Sequence, residues 1–300
     1  NMAGTSPNGG VIMAMGDDHT GESSTTLHQS DFAMLDAYMP VVSPAGVQEI
    51  MDYGQYAWAL SRFAGVWVGL KTMKDTIEVT SVVDGDPHRM EFVTPDFPMP
   101  EGGLNIRLVD TPQAQEARMI DHKRFAAEAF SRANKMDQRK VGKRGAKIGF
   151  VAAGKNWLDL EHALSLLNID EAEADRLELT AYKVGQVWPL DMASFYEWSE
   201  GLDLIVVVEE KRKLIEVQIK EALFDDRRTR VYGWHKGDEH SEGRREEVFQ
   251  TKADLGPMLI AEKLGEILIE EGCGTDKVMA GWEAVIAAKK ADNAPEIASR

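Results

Sequence analysis

The sequence contains one cysteine, Cys273, in 300 residues. A single thiol builds no internal disulfide framework and no cysteine-ligated iron–sulfur cluster. A reducing, cytoplasmic setting fits that usage. Long apolar runs are also missing. Nothing approaches the ~18 residues needed to cross a bilayer, and LDLIVVVEE reads as a buried strand. The start, NMAGTSPNGG, lacks a basic stretch followed by an apolar one, so no signal peptide is expected. It begins Asn1-Met2 and soon enters an apolar run, which reads as a tag scar or a cut through a domain. Positive charge is scarce: 34 Lys and Arg face 50 Asp and Glu, a net charge of −16. Such a balance argues against nucleic acid as the main partner and against anionic membranes.

What is present is an ordinary globular composition, 43% hydrophobic and 28% charged. The length suggests two domains. In the first section, GVIMAMGD reads as a buried strand closed by Gly and Asp, and MPVVSP holds a second short run. SPAGVQEIMDYGQYAWALSRFAG reads as a helix, with Ser43 as N-cap, Pro44 at the first helical position and Gly65 as its stop. VWVGLKTM follows as a strand, so the order is strand, helix, strand, which implies a parallel sheet. TIEVTSVVD alternates like a half-exposed strand. Residues 85–112 are rich in Pro, Gly and Asp and read as an irregular connection.

A helix over 112–137 and a basic stretch, QRKVGKRGAK, lead into the second section. That stretch reads as a solvated linker. AKIGFVAAG, LELTAYKVGQVWPL, LDLIVVVEE and TRVYGWH then supply strands that alternate with helical segments. One of these, DMASFYEWSE, has Asp191 as its expected cap. The expected fold is α/β with two domains and mainly parallel sheets. The expected boundaries are 1–112, a helix and basic linker over 113–144, 145–274, and a C-terminal helix and tail over 275–300.

The densest chemistry lies in GDDHTGESSTTLHQSD, residues 16–31. Asp17, Asp18, His19 and His28 have the atom types of a metal site, but no helical H-x-x-x-H or H-E-x-x-H spacing is present. No metal is expected. GESSTT does not match the G-x-S-x-G nucleophile elbow, and the glycines match no phosphate-loop fingerprint. The stretch lies past the carboxyl end of an expected parallel strand, where ligands bind in open α/β sheets. A ligand-binding loop and a plain polar loop both remain open on these residues. Glu209 and Glu210 read as carboxylates favoured near a helix N-terminus. The tryptophans read as packing anchors.

Several longer motifs add to this. AGTSPNGGVIMAMGDDHTGESSTTLHQSD, MPVVSPAGVQEIMDYG, GGLNIRLVDTPQAQEARMIDHK, VAAGKNWLDLEHAL, YKVGQVWPL and VVEEKRKLIEVQIKE resemble, in order, the long form of indolepyruvate:ferredoxin oxidoreductase. The resemblance implies part of a thiamine diphosphate pyrimidine-type domain followed by a transketolase C-terminal-like domain. It implies oxidative decarboxylation of aryl 2-oxoacids to acyl-CoA, with electrons passing through iron–sulfur clusters to ferredoxin. The activating glutamate of the family lies upstream of AGTSPNGG, and its GDG metal motif and cluster cysteines lie downstream of ADNAPEIASR. The chain therefore resembles an internal excerpt, expected to be inactive alone and to hold neither thiamine diphosphate, Mg nor clusters tightly. Its implied partners are the remaining domains of the enzyme, ferredoxin and coenzyme A. A homo-oligomer is expected, because a partial pyrimidine domain exposes a sheet edge.

Where pyruvate enzymes place a carboxylate-binding arginine before QTG, this sequence has His28 before Gln29 and Ser30. The resemblance thus marks His28, Gln29, His19, Ser23 and Ser24 as substrate-binding candidates, and Asp17 and Asp18 as residues of the cofactor-pocket loop. The rival reading is a non-catalytic two-domain α/β scaffold or interaction module.

Overall fold

The structure, a computed structural model, describes residues 1–86, 88–226, 228–237 and 246–292. The first section contains β1 (Val11–Asp17), α1 (Asp31–Asp36), β2 (Val41–Val42), α2 (Val47–Ala64), β3 (Trp67–Met73) and the single turn α3 (Lys74–Ile77). After an irregular stretch, α4 (Pro112–Arg118) passes through a π-helical turn, Met119–Lys123, into α5 (Arg124–Ala133). The next elements are β4 (Gln138–Gly142), β5 (Ile148–Ala153), α6 (Gly154–Leu166), α7 (Glu171–Arg176), β6 (Leu179–Val184) and β7 (Gln186–Trp188). They are followed by α8 (Met192–Ser199), β8 (Leu204–Val208), α9 (Ile215–Ala222), β9 (Arg230–Tyr232), β10 (His235–Lys236) and β11 (Glu246–Glu247). Helices α10 (Pro257–Glu270) and α11 (Asp276–Asp292) close the described chain.

One sheet has the order β1-β3-β2-β7, with β1, β3 and β2 parallel and β7 antiparallel to β2. A second has the order β4-β6-β5-β8-β9, parallel except for β4, and β10 and β11 pair as a short antiparallel ribbon. All five residues of β8 and five of the six of β5 are buried. A parallel strand covered on both faces needs such a continuous apolar run. On one face of the larger sheet, Phe150, Ala152, Val206 and Val208 pack with residues of α6 and α10, such as Leu160 and Leu264. On the other, Val151, Ile205 and Val207 pack with Phe195, Trp198, Ile215 and Ile219. That second cluster includes Met15 and Val41 of the smaller sheet, so one core is shared between the two. Helix α2 buries Tyr56, Ala57, Leu60 and Ala64 against α5 and β3 and ends at Gly65, whose φ of 64° suits glycine.

Four local expectations are corrected. Helix α2 begins at Val47 with Gly46 as N-cap, while the Ser43 amide donates to Gly185 O at 2.9 Å. TIEVTSVVD forms no strand: Thr76 Oγ1 accepts from the Met73 amide, closes α3 and ends β3. Beyond it Val82 stands 98% exposed, with no sheet edge beside it to pair with. QRKVG is strand β4, antiparallel to β6, because the edge of the larger sheet accepts it. Asp191 occupies the N-cap of α8, but its carboxylate bonds Arg132 and Ser194 rather than helix amides.

Strand β7 has the largest consequence for the site. It lies in the second section by sequence but completes the smaller sheet. The chain leaves β6 in one sheet and enters the other within a single residue, Gly185. This crossing brings the carboxyl ends of strands from both sheets together. Among the described residues no helix is long and apolar enough to cross a membrane.

Candidate functional site

One cavity lies at that junction. It is lined from the smaller sheet by His19, Gln29, Asp31 and Lys71, and from the larger by Lys155, Asn156, Glu209 and Glu210. His19 follows the end of β1, and Glu209 and Glu210 follow the end of β8. Ligands of open α/β sheets bind outside such carboxyl ends.

The loop after β1 is held by its own aspartates. The Asp18 carboxylate accepts from the amides of Gly21, Glu22, Ser23 and Ser24 at 2.6–3.1 Å. Burial raises its pKa, but these amides outweigh burial and leave it below the usual carboxylate range. Asp17 accepts from the Ser30 hydroxyl at 2.6 Å, with His28 Nδ1 at 3.5 Å and Lys71 Nζ at 3.6 Å. Both aspartates are therefore engaged inside the protein. Ser23 and Ser24 are exposed, and the Ser24 hydroxyl donates to Thr26 O. The His28 ring is half exposed at the loop edge, 3.3 Å from Ser30 Oγ. Of the seven candidate residues, the structure brings only His19 and Gln29 into the cavity lining.

Asp18→Ala should free four amides at once. They lie near water, so the global cost should be modest. Hydrogen exchange at Gly21–Ser24 should rise by roughly 10-fold or more in that variant. Unchanged protection there would remove Asp18 as the organiser of the loop.

The interior of the site is a charged network. His19 Nδ1 is 2.7 Å from Glu210 Oε1, and both side chains are buried. Glu210 Oε2 accepts from the Leu255 amide at 2.9 Å and lies 3.6 Å from Lys155 Nζ. Burial raises the Glu210 pKa, yet the His19 hydrogen bond and Lys155 outweigh it and bring it down to about 2. Lys71 Nζ donates to Asp31 Oδ2 at 2.6 Å, and Gln29 Nε2 donates to the same oxygen at 2.7 Å. Burial raises the pKa of Asp31, but Lys71 outweighs burial and holds it low. Glu209 behaves as its sequence position suggests, accepting from the Ile215 and Glu216 amides at the start of α9. Its burial pushes it up to about 8 against those amides.

Three buried polar atoms in this lining have no hydrogen-bond partner: His19 Nε2, Gln29 Oε1 and Asp31 Oδ1. Unpaired buried polar groups are costly, so they mark a place where something else bonds. The cavity is partly open to solvent and offers about 40 Å³ of space. That holds a few water molecules, whereas sites for larger ligands run to roughly 300–1,000 Å³. As arranged, these residues do not fit thiamine diphosphate. Among the described residues no group of three or more His, Cys, Asp or Glu side chains is placed to hold a metal ion.

Lys71, Asp31 and Lys155 were not legible as site residues. They come from different elements and share no local spacing. The available signal was a charge inside an otherwise apolar strand, the lysine of WVGLKTM.

The same architecture occurs in a solved 2-oxoglutarate:ferredoxin oxidoreductase from Magnetococcus marinus. The TM-score is 0.51 at 13% identity, over 84% of this chain and 48% of that one. That likeness defines the fold class, an α/β protein of two mainly parallel sheets. The model of the "Indolepyruvate oxidoreductase domain" matches residues 138–292, more than half of the chain, and the chain belongs to the indolepyruvate oxidoreductase family. Curated relatives include the "Indolepyruvate oxidoreductase subunit IorA" of Pyrococcus abyssi, 26% identical over 73% of this chain and 33% of that protein. The Methanothermobacter thermautotrophicus protein of the same name is 24% identical over 70% of this chain and 32% of that protein. The chain thus spans about a third of the length of the curated relatives it matches.

Proposed function

We propose that this chain is part of a thiamine diphosphate-dependent 2-oxoacid:ferredoxin oxidoreductase of the indolepyruvate type. Its reaction is oxidative decarboxylation of an aryl 2-oxoacid to acyl-CoA, with electrons leaving for ferredoxin. The observation that carries this reading beyond family membership is the cavity itself. The loop after β1 presents His19 and Gln29 with unpartnered polar atoms at a buried site, opposite Glu210 of the larger sheet. A scaffold without a ligand has no use for such costly atoms.

In this reading the cavity is one wall of the reaction site. Its size and charges leave no place for thiamine diphosphate, so the cofactor and its metal are held by other parts of the full-length enzyme. The iron–sulfur clusters also belong to those parts. The partners are those domains, further copies of the same protein, ferredoxin and coenzyme A, in the cytoplasm.

In this reading His28, half exposed at the edge of the loop, binds the substrate carboxylate. The test is His28→Ala in the full-length holoenzyme. A hydrogen bond to a charged group is worth about 1.5–3 kcal/mol, so kcat/KM for the aryl 2-oxoacid should fall roughly 10- to 100-fold. Thiamine diphosphate affinity, measured by calorimetry on the same variant, should stay within about 2-fold. Equal loss of both would argue against a substrate role for this residue.

A further inference from the structure

Residues 91–110 contain no helix or strand, yet specific contacts seat their backbone along α2 and α5. The Asn134 side chain donates to Val93 O at 2.9 Å and accepts from the Val93 amide at 2.8 Å. Phe92 and Phe97 pack edge-on against Tyr56 and Phe63, with centroids 6.2 and 6.4 Å apart. Leu104 is buried, and its carbonyl lies so near the end of α2 that a Cβ on Gly65 would stand 2.1 Å from it. Asn105 Nδ2 donates to Arg62 O at 2.8 Å, and the Ile106 amide donates to Thr5 O at 2.9 Å. Fixing backbone costs about 1–2 kcal/mol per residue, and these inward contacts offset that cost. The outward side is different. Val93, Met99, Leu108 and Val109 are 51–93% exposed. In the same segment Glu91, Asp96 and Glu101 are exposed, and none of them pairs with a cation among the described residues. Arg107 and Arg118 are already bonded to Asp110. Single exposed apolar side chains are ordinary. A row of them on an ordered strap, interspersed with unpaired charges, has the composition of an interface.

We propose that the outer side of residues 91–110 is the surface on which another domain of the full-length enzyme docks, and that this domain presents apolar side chains framed by lysine or arginine. The inference rests on the function proposed above, which assigns further domains to the enzyme beyond these 300 residues. Charge selects the occupant. When docking removes water, the three unpaired carboxylates need cations, because an unpaired charge is costly to desolvate. The same face of a second copy would bring carboxylates against carboxylates, in a chain already at −16. A basic rim pairs them and also speeds the encounter. Because the strap is held in shape by its inward contacts, docking on it loses little conformational entropy.

The test uses the full-length enzyme. Met99 is a built-in probe, since peroxide converts an accessible methionine to its sulfoxide. If the surface is covered, Met99 should oxidise at least roughly 10-fold more slowly than in the urea-unfolded enzyme. A rate within about 3-fold of the unfolded one means a bare strap and overturns the proposal. A carbodiimide, which joins carboxylates to amines in contact, should link Glu91, Asp96 or Glu101 to lysines outside residues 1–300. Links only to lysines of residues 1–300, in the same or a second copy, overturn the assigned occupant, and so does the absence of links. Leu108→Asp changes a side chain that packs on nothing within this chain, so its effect reads the docked domain. It should lower Tm by at least about 4 °C and raise the Met99 oxidation rate at least about 3-fold, while Leu108→Met keeps both near the wild type. A Tm shift under about 1 °C in Leu108→Asp overturns the proposal. A wild-type enzyme that oxidises no 2-oxoacid overturns the proposed function instead, and Met99 protection and the cross-links still decide the docking.

Discussion

Lys71→Met should lower the unfolding free energy by about 3–5 kcal/mol, the usual cost of stripping one partner from a buried ion pair. Lys71 is 8% exposed, and the two carboxylates it serves, Asp17 and Asp31, are 3% and 1% exposed. Burial lowers the pKa of the lysine, but Asp31 and then Asp17 more than offset that and raise it. Without the ammonium, two buried carboxylates, Asp31 and Asp17, lose their shared cation. Methionine matches the lysine stem in shape, so lost packing contributes little and the loss is electrostatic. In urea unfolding the midpoint should fall with the slope unchanged. Asp31→Asn added to Lys71→Met should recover part of the loss, giving a coupling energy of at least about 1 kcal/mol. A single-variant cost below about 1 kcal/mol would mean that water reaches this cluster freely and screens the pair.

Gly185→Ala should cost about 2–3 kcal/mol through overpacking. A Cβ there would stand 2.6 Å from Met136 O and 2.8 Å from Tyr53 Oη. The site cannot relax easily, because the Gly185 amide donates to Asp137 Oδ1 at 2.8 Å and its carbonyl accepts from the Ser43 amide. This residue carries the chain from one sheet to the other, so the strain should appear at the junction. Hydrogen exchange at the amides of Ser43 and Gln186 should accelerate more than exchange in β8 at the centre of the larger sheet. A change in stability under about 0.5 kcal/mol would show that the crossing has room to spare.

The elements that were legible are those whose pattern is local. The apolar runs of β1, β5 and β8 and the helical spacing of α2 and α10 need no knowledge of their neighbours. Both failed strand readings depended on a neighbour. TIEVTSVVD alternates correctly but meets no sheet edge, whereas QRKVG looks like linker yet finds the open edge of β6. The candidate site divides in the same way. The 16–31 loop was visible because its polar residues are crowded together in sequence. Its inner partner was not, since Glu210 also has the sequence position of a helix-terminal carboxylate. That role fell to Glu209, one residue earlier, and left Glu210 free to meet His19.

By itself, then, the sequence determined an acidic α/β chain of two mainly parallel sheets, its family, and the loop where its polar chemistry lies. Periodicity, composition and ordered motifs carry that information along the chain. Only the tertiary structure decided which polar side chains face inward. Asp18 turns to its own loop amides and His28 to the loop edge, while His19 and Gln29 join Lys71, Asp31 and Glu210 around one small cavity. The reason is geometric. The direction of a side chain at a strand end depends on what packs across it, and here that is the other sheet, brought near by the crossing at Gly185.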